Sequence, residues 1–337
     1  MPLSSADLAA LGEIPITIKS KAYSNVYLRL DGTGVTVFSG TGGGKVNGQF
    51  TAGATEKFRV RTQADGSYSF ESVAFPNVYL RLDGYGVSLY EKNGSGTVNC
   101  QFGPPGPYEK FAARPQAGGG LAFESTAFPK VYLRLDGSGV TSSTGTGSGT
   151  ANCQWGVGAT EEFVLDMVDQ NVAFAMQHQE QTLWCWDAAT VSVAKFYDPA
   201  SPWTQCTLAN AELNRNDCCV PAGQVSPGNE GRWPDTALQR VGHFKERSNN
   251  ALSSTQLGAE LVKSAPVVVN IAWRDENGFI WGGHIVAVRG RSVRDGVEWV
   301  SVSDPWSGDT DITYDNFRNR YHDSGLWNVS YKTKPRG

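Results

Sequence analysis

Four side chains in the second half of the chain have the types and order needed for acyl-transfer chemistry. Cys185 lies in Leu183-Trp184-Cys185-Trp186-Asp187-Ala188-Ala189. Small and apolar residues at 185, 188, 189, 193 and 196 trace one helical face, which predicts a helix that begins at or near Cys185. There the unpaired N–H groups and the helix dipole favour a thiolate. Gln179 stands six residues upstream, in the loop that enters the helix, so its amide could donate to an oxyanion beside the Cys185 N–H. Gln177 and Gln181 compete for that role. The best base is His284, in Gly282-Gly283-His284-Ile285-Val286-Ala287-Val288: two glycines admit a substrate, and the apolar run reads as a buried strand that holds the imidazole. Asp304, in Ser303-Asp304-Pro305-Trp306, returns close to His284 if that strand pairs with 299–302. It would then fix the tautomer and stabilise the imidazolium. Asp309 and Asp311 are alternatives to Asp304. The bland reading of Cys185 is a small buried hydrophobe, which is the commoner fate of a lone cysteine.

A Gln, five residues and then Cys-Trp at a helix start, followed by Gly-His and Asp-Pro-Trp in that order, resembles the papain-like cysteine peptidases. Trp184-Cys185-Trp186 and Gly283-His284-Ile285-Val286-Ala287-Val288 are similar to the smaller microbial branch, the secreted and type III effector proteases of the Avr-cleavage kind. The resemblance covers about residues 170–335. It implies an α+β fold with the cleft between a helical and a sheet lobe, a Cys185-His284-Asp304 triad, Gln179 at the oxyanion, and a protein or peptide substrate. No cofactor or metal is implied.

The elements that must position these groups follow from periodicity. Helices are expected near 185–197, 204–214, 235–243 and 254–264, and strands near 266–273, 280–289, 297–303 and 324–332. His178 and His322 read as solvent-facing, and His243 as a helix-surface residue.

The first half is a different module. Of 39 glycines, 26 precede residue 169, whereas nine of ten tryptophans and all four histidines follow it. Val26-Tyr27-Leu28-Arg29-Leu30-Asp31-Gly32 returns at 78–84 and at 131–137. Asn47-Gly48-Gln49 recurs as Asn99-Cys100-Gln101 and Asn152-Cys153-Gln154. Three copies of strand-forming sequence with Gly-rich turns predict an all-β β-trefoil over 15–168, after an arm at 1–14, with the peptidase-like domain at 169–337. Leu28 and Leu30 should point to one face and Tyr27 and Arg29 to the other. The strand pairs are similar to those of fascin-like and ricin-like trefoils, which implies a glycan or host-protein ligand. Asp31, Asp83, Asp136, Asn47, Asn99 and Asn152 occur once per lobe and suit a trivalent sugar site. The competing reading makes them turn and backbone-satisfying residues. Gly40-Thr41-Gly42-Gly43-Gly44-Lys45-Val46 only glances at a phosphate loop, being one residue short with Val46 in place of Ser/Thr.

Composition narrows the partners. With 29 basic and 33 acidic side chains and no basic block, nucleic acid is not expected. No apolar run is long enough to span a membrane. Residues 1–8 lack the features of a signal peptide, which leaves the location open between a cytoplasmic protein, a non-Sec export route and a chain whose leader has been removed. Cys100 and Cys153 read as small core residues. Cys206 can pair with Cys218 or Cys219 in an oxidising compartment, and spacing does not choose. Together these features describe a targeted cysteine endopeptidase of the toxin or effector type. A lectin-like protein with an inactive second half and a transglutaminase-like acyltransferase are the rivals.

Overall fold

Three copies of one strand-turn pattern can bury their apolar faces only by closing on one another, and the first half of the chain does so. The structure is a computed structural model that describes residues 3–294 and 296–337. It divides into two compact units between Val168 and Asp169.

In the first unit, lobe one comprises β1 (Ile16–Ser20), β2 (Val26–Asp31), β3 (Lys45–Phe50) and β4 (Lys57–Thr62). Lobe two comprises β5 (Tyr68–Ser72), β6 (Val78–Asp83), β7 (Thr97–Phe102) and β8 (Phe111–Pro115). Lobe three comprises β9 (Leu121–Ser125), β10 (Val131–Asp136), β11 (Thr150–Trp155) and β12 (Phe163–Met167). The first and last strands of the lobes pair in the cycle β1-β4-β5-β8-β9-β12 and back to β1, a closed antiparallel barrel of six strands without edges. The hairpins β2-β3, β6-β7 and β10-β11 cover one end. Phe70, Phe111, Phe123 and Phe163 fill the interior, with Phe70 and Phe123 edge-to-face at 4.8 Å between ring centroids.

Two contacts in this half leave no local sequence pattern. Arg29, Arg81 and Arg134 are buried, each bonded to the aspartate two residues on at 2.8, 3.0 and 2.9 Å. Arg29, Arg81 and Arg134 also donate to the carbonyls of Gly145, Gly40 and Lys92 in the neighbouring lobe, so both sides of the Tyr-Leu-Arg-Leu strand are covered. Residues 3–14 pack on the barrel. Leu8, Leu11 and Ile14 are buried, and the Leu3 N–H donates to the Leu165 carbonyl. Met1 and Pro2 lie outside the described residues. Cys100 and Cys153 are buried and free, with their thiols pushed up to about 12 by burial.

The second unit begins with β13 (Gln170–Asn171). It continues through α1 (Cys185–Tyr197), α2 (Gln205–Leu213), α3 (Pro234–Val241), β14 (Phe244–Ser248), α4 (Ser254–Leu261), β15 (Val267–Arg274), β16 (Ile280–Arg294), β17 (Val297–Asp304), β18 (Gly308–Thr313), α5 (Tyr314–Arg320) and β19 (Gly325–Thr333). The antiparallel sheet runs β14-β19-β15-β16-β17-β18, with β13 added on β16. No described helix is long and apolar enough to cross a membrane. Helix α1 is central: Trp186 to Ala194 are all buried, so the helix is covered on every side rather than along one face. Thr204 caps α2 and Ser253 caps α4 through their side chains, whereas no side chain caps α1. The first N–H groups of α1, at Cys185, are therefore left for other partners.

Strands β14 and β18 and helix α5 have no counterpart in the sequence reading. Their patterns are weak because β14 is an edge strand, β18 is mostly exposed, and α5 buries Phe317 alone.

Candidate active site

Cys185 is the first residue of α1 and is half-buried, at the rim of an open cleft. His284 comes from β16 and Asp304 from the last position of β17. These strands pair antiparallel, Ala287 opposite Ser303 and Val288 opposite Val302, which returns Asp304 to the level of His284. The His284 Nε2–H donates to Asp304 Oδ1 at 2.8 Å, and the imidazole also shares a hydrogen bond with Cys185. The sequence reading named these three residues, and the fold brings them together. Burial opposes a charge on His284. The hydrogen bonds to Asp304 and Cys185 and the negative charge of both outweigh it and push the imidazolium up to about 9.

Asp304 is itself buried, which alone would raise its pKa. Four donors hold it well below the usual carboxylate range: His284, the backbone N–H groups of Trp306 at 2.7 Å and Ser307 at 3.2 Å, and the Tyr321 hydroxyl at 2.9 Å. Tyr321, which follows α5, was not foreseen. Only the turn at the end of β17 and the packing of α5 bring it there, and nothing in its local sequence signals that contact. Asp309 pairs with Arg289 and Asp311 with Arg294, so neither alternative carboxylate faces His284.

Gln179 reaches the site but not in the expected pose. Its Nε2 donates to the carbonyls of Gln181 at 2.8 Å and Thr182 at 2.9 Å, while Oε1 is buried without a partner. The amide braces the turn that leads into α1, and neither hydrogen points at free space above Cys185. Gln181 bonds the 224–226 loop instead, and Gln177 meets Gln205, so neither competitor replaces it. Of the other histidines, His178 and His322 are exposed. His243 corrects the surface expectation: it is 4% exposed, follows the left-handed Gly242 that ends α3, and stacks on Tyr197 at 4.8 Å.

The residues on either side of Cys185 are clasped by the 224–230 loop. The Trp184 indole N–H donates to the Gly228 carbonyl and the Trp186 indole to the Glu230 carbonyl. Asn229 accepts from the Leu183 N–H and donates to the Thr182 hydroxyl. Cys206 and Cys219 form a disulfide that ties this excursion to α2, leaving Cys218 free and buried.

Asp187, two residues beyond Cys185, was also not foreseen. It is 0% exposed, and neither carboxylate oxygen has a hydrogen-bond partner among the described residues. Burial, and then the charges of Glu180 and Glu212, push it up to about 9.

In the first domain, the once-per-lobe residues belong to the skeleton. Asp31, Asp83 and Asp136 accept from their own-strand arginines and from the N–H of Thr33, Tyr85 and Ser138, which fixes the turn. The Asn47, Asn99 and Asn152 amides donate to the Thr146, Thr41 and Asn93 carbonyls of the adjacent lobe, so they lock the three lobes in a ring. The six residues proposed as a trivalent sugar site thus each make bonds within the domain's own turns and lobe junctions. One lobe junction differs from the other two. Phe75 and Phe128 cover Gly32 and Gly84, but Tyr23 covers Gly137, and its hydroxyl meets Asp136 at 3.1 Å and Ser138 at 3.0 Å beside a cavity of about 340 Å3.

Known proteins supply the frame for this geometry. Residues 167–322 match the family described as papain-like cysteine protease AvrRpt2, and residues 16–157 match the alpha-L-arabinofuranosidase B (ABFB) domain. The two matches fall on different parts of the chain, the ABFB-domain match on the first unit and the papain-like protease match essentially on the second. No curated protein matches it. Among solved structures, a mosquitocidal holotoxin is 13% identical over 50% of this chain and 21% of its own, with a TM-score of 0.36. A designed threefold-symmetric protein, ThreeFoil, is 11% identical over 46% of this chain and 99% of its own, with a TM-score of 0.36. An arabinofuranosidase complexed with arabinofuranosyl-alpha-1,2-xylobiose is 14% identical over 46% of this chain and 31% of its own, with a TM-score of 0.30. This chain thus spans less than a third of two of these proteins.

The buried carboxyl of Asp187 in the second domain gives a stability test. Asp187 keeps its proton in the folded state up to about 9, whereas an unfolded aspartate loses it near 3.8. Its stabilising contribution is complete below 3.8 and drains away as pH rises toward 9. Asp187→Asn, which is neutral throughout, should therefore match the parent near pH 4. It should become the more stable of the two as pH rises, by about 1.4 kcal/mol per pH unit above 3.8 and so by roughly 5–6 kcal/mol at pH 8, as read by thermal unfolding of the full chain. Equal pH profiles would show that folding does not raise the Asp187 pKa and would overturn the buried neutral carboxyl; a parent that gains on the variant as pH rises would show Asp187 ionised and paired.

Proposed function

We propose that the protein is a cysteine endopeptidase carried to its substrate by a carbohydrate-binding domain. The observation that carries the catalytic half is the half-buried imidazole of His284, bonded on one side to Asp304 and on the other to Cys185 at an uncapped helix start. The family match over residues 167–322 supports the same reading.

In this mechanism His284 holds the proton and Cys185 the negative charge. The sulfur attacks the carbonyl carbon of a peptide bond, and the negative charge passes to the carbonyl oxygen. The Cys185 N–H, free at the start of α1, donates to that oxygen. Gln179 joins it only by releasing one of the two carbonyls it now holds. His284 protonates the leaving amine as the C–N bond breaks, giving a thioester and a neutral imidazole. A water then gives a proton to His284, attacks the thioester and releases the acid, and the thiolate–imidazolium pair is restored. Asp304 keeps one ring nitrogen protonated throughout and lowers the cost of the imidazolium. A protease with its own binding domain suits a delivered protein of the effector or toxin type.

The leaving group needs a protonated His284, so the mechanism fixes the alkaline limb of activity. The kcat/KM for a peptide should fall above about pH 9, where His284 loses its proton. Asp304→Asn removes the hydrogen-bonded anion that raises His284 and should move the limb down by about 1–3 units, the effect of one adjacent opposite charge. A limb that does not move would remove Asp304 from the triad.

The binding half rests on the ABFB match over residues 16–157, and the Tyr23 cavity is where we place one sugar ring. The full chain should be retained on insoluble arabinoxylan and released by soluble arabino-oligosaccharides. Tyr23→Ala should weaken retention by about tenfold, the effect of losing one aromatic anchor. Passage through the matrix unretained would overturn the carbohydrate reading.

A further inference from the structure

The cleft beside Cys185 has a second feature that the triad does not use. A cavity of about 480 Å3 opens next to the cysteine, large enough for a bulky side chain. Its floor is one face of the sheet, where β19, β15 and β16 lie side by side. The lining carries Asn270 and Ala272 of β15 with their register partners Ile285 and Gly283 of β16, and Asn328 of β19, which falls where a bulge interrupts the β15-β19 pairing. Gly231, Arg232, Trp233 and Ile280 complete the lining. Gly283 keeps the cavity open, because a Cβ there would come to 3.0 Å from Asn270 Oδ1.

Ala272, Ile280 and Ile285 make the near part apolar, but the floor ends in a pair of amides. The Asn270 Nδ2 donates to Asn328 Oδ1 at 2.7 Å. Asn270 is 4% exposed, so that bond is held in a dry setting. Each asparagine carries two donor hydrogens and one carbonyl acceptor. After the mutual bond, no described residue takes the Asn328 amide hydrogens or donates to Asn270 Oδ1. The Asn328 amide hydrogens, and Asn270 Oδ1 beside Gly283, are therefore the donor and the acceptor left for an occupant. Strands lie about 4.8 Å apart, so Asn328 is about 10 Å across the sheet from the strand that carries His284. Only a large side chain spans that distance from a backbone held at Cys185. The group that both donates and accepts at the end of a rigid apolar body is a phenol.

We propose that Asn328 and Asn270 set the substrate preference of this domain, selecting a tyrosine whose ring lies against Ala272 and Ile285. Its hydroxyl accepts from the Asn328 amide and donates to Asn270 Oδ1. The inference rests on the protease reading, and because Cys185 lines the cavity, the selected residue is the first or second before the scissile bond.

Peptidyl epoxides that alkylate a cysteine separate the two ideas. Two series of otherwise identical inhibitors carry Tyr, Phe, Leu or Gln at the first or the second residue from the epoxide, and the adduct is located by peptide mass mapping on the full chain. In one series Tyr should label Cys185 about tenfold faster than Phe, the effect of about one hydrogen bond. Asn328→Leu should bring that ratio to one or below. If Asn328→Leu lowers the melting temperature, the smaller Asn328→Ala should show the same loss of preference. Adducts on Cys185 at equal Tyr and Phe rates in both series, or a ratio that survives both variants, would overturn the specificity assignment and leave the protease reading standing. The absence of any Cys185 adduct would overturn the protease reading and this inference with it.

Discussion

The second domain depends on keeping one carboxylate ionised where water is scarce. Asp304 is buried, and burial alone would protonate it; four convergent donors reverse that, and one of them is His284. Tyr321 and the two backbone N–H groups after Asp304 hold the carboxylate in place, so the imidazole meets a fixed anion and not a mobile one. Much of the sheet serves this contact. The β16-β17 register sets the separation of His284 and Asp304, the turn after Asp304 turns its N–H groups back onto the carboxylate, and α5 delivers Tyr321. A shift of one residue in that register would turn His284 to the opposite face of the sheet.

The nucleophile is positioned by different means. Helix α1 is buried on all sides, yet its start has no capping side chain, so the orphan N–H groups remain available at the cleft. Two tryptophans that flank Cys185 are held by their indole N–H groups to the 224–230 loop, and the Cys206–Cys219 disulfide ties that loop excursion to α2. Trp-Cys-Trp is thus a mounting for the sulfur: two large side chains packed and hydrogen-bonded on each side leave the cysteine itself half-exposed.

What could be read from the sequence was whatever depends on local pattern. Helix α1, the apolar run after His284 and the 52- and 53-residue repeat spacings all leave a periodic trace, and the pairing of two neighbouring strands brought Asp304 to His284. What escaped depends on partners distant in sequence. The alternation of Tyr27-Leu28-Arg29-Leu30 correctly separates two faces, but not that a neighbouring hairpin covers the second and buries Arg29. A histidine just after a helix looks exposed until Tyr197 stacks on it. The Gln179 amide is bonded to two carbonyls of its own loop, a choice set by the turn and not by spacing from Cys185. Asp187 sits on the apolar helix with no local sign that its carboxyl has no partner.

The most direct test of the account is whether His284 activates Cys185. The full chain should be titrated with a broad epoxide directed at thiols and the modified peptide identified by mass, with His284→Ala in parallel. A single adduct on Cys185, formed at least about a hundredfold more slowly in the variant, as expected when a nucleophile loses its base, is the predicted result. Slow labelling spread over Cys185 and Cys218, at the same rate in both proteins, would contradict it.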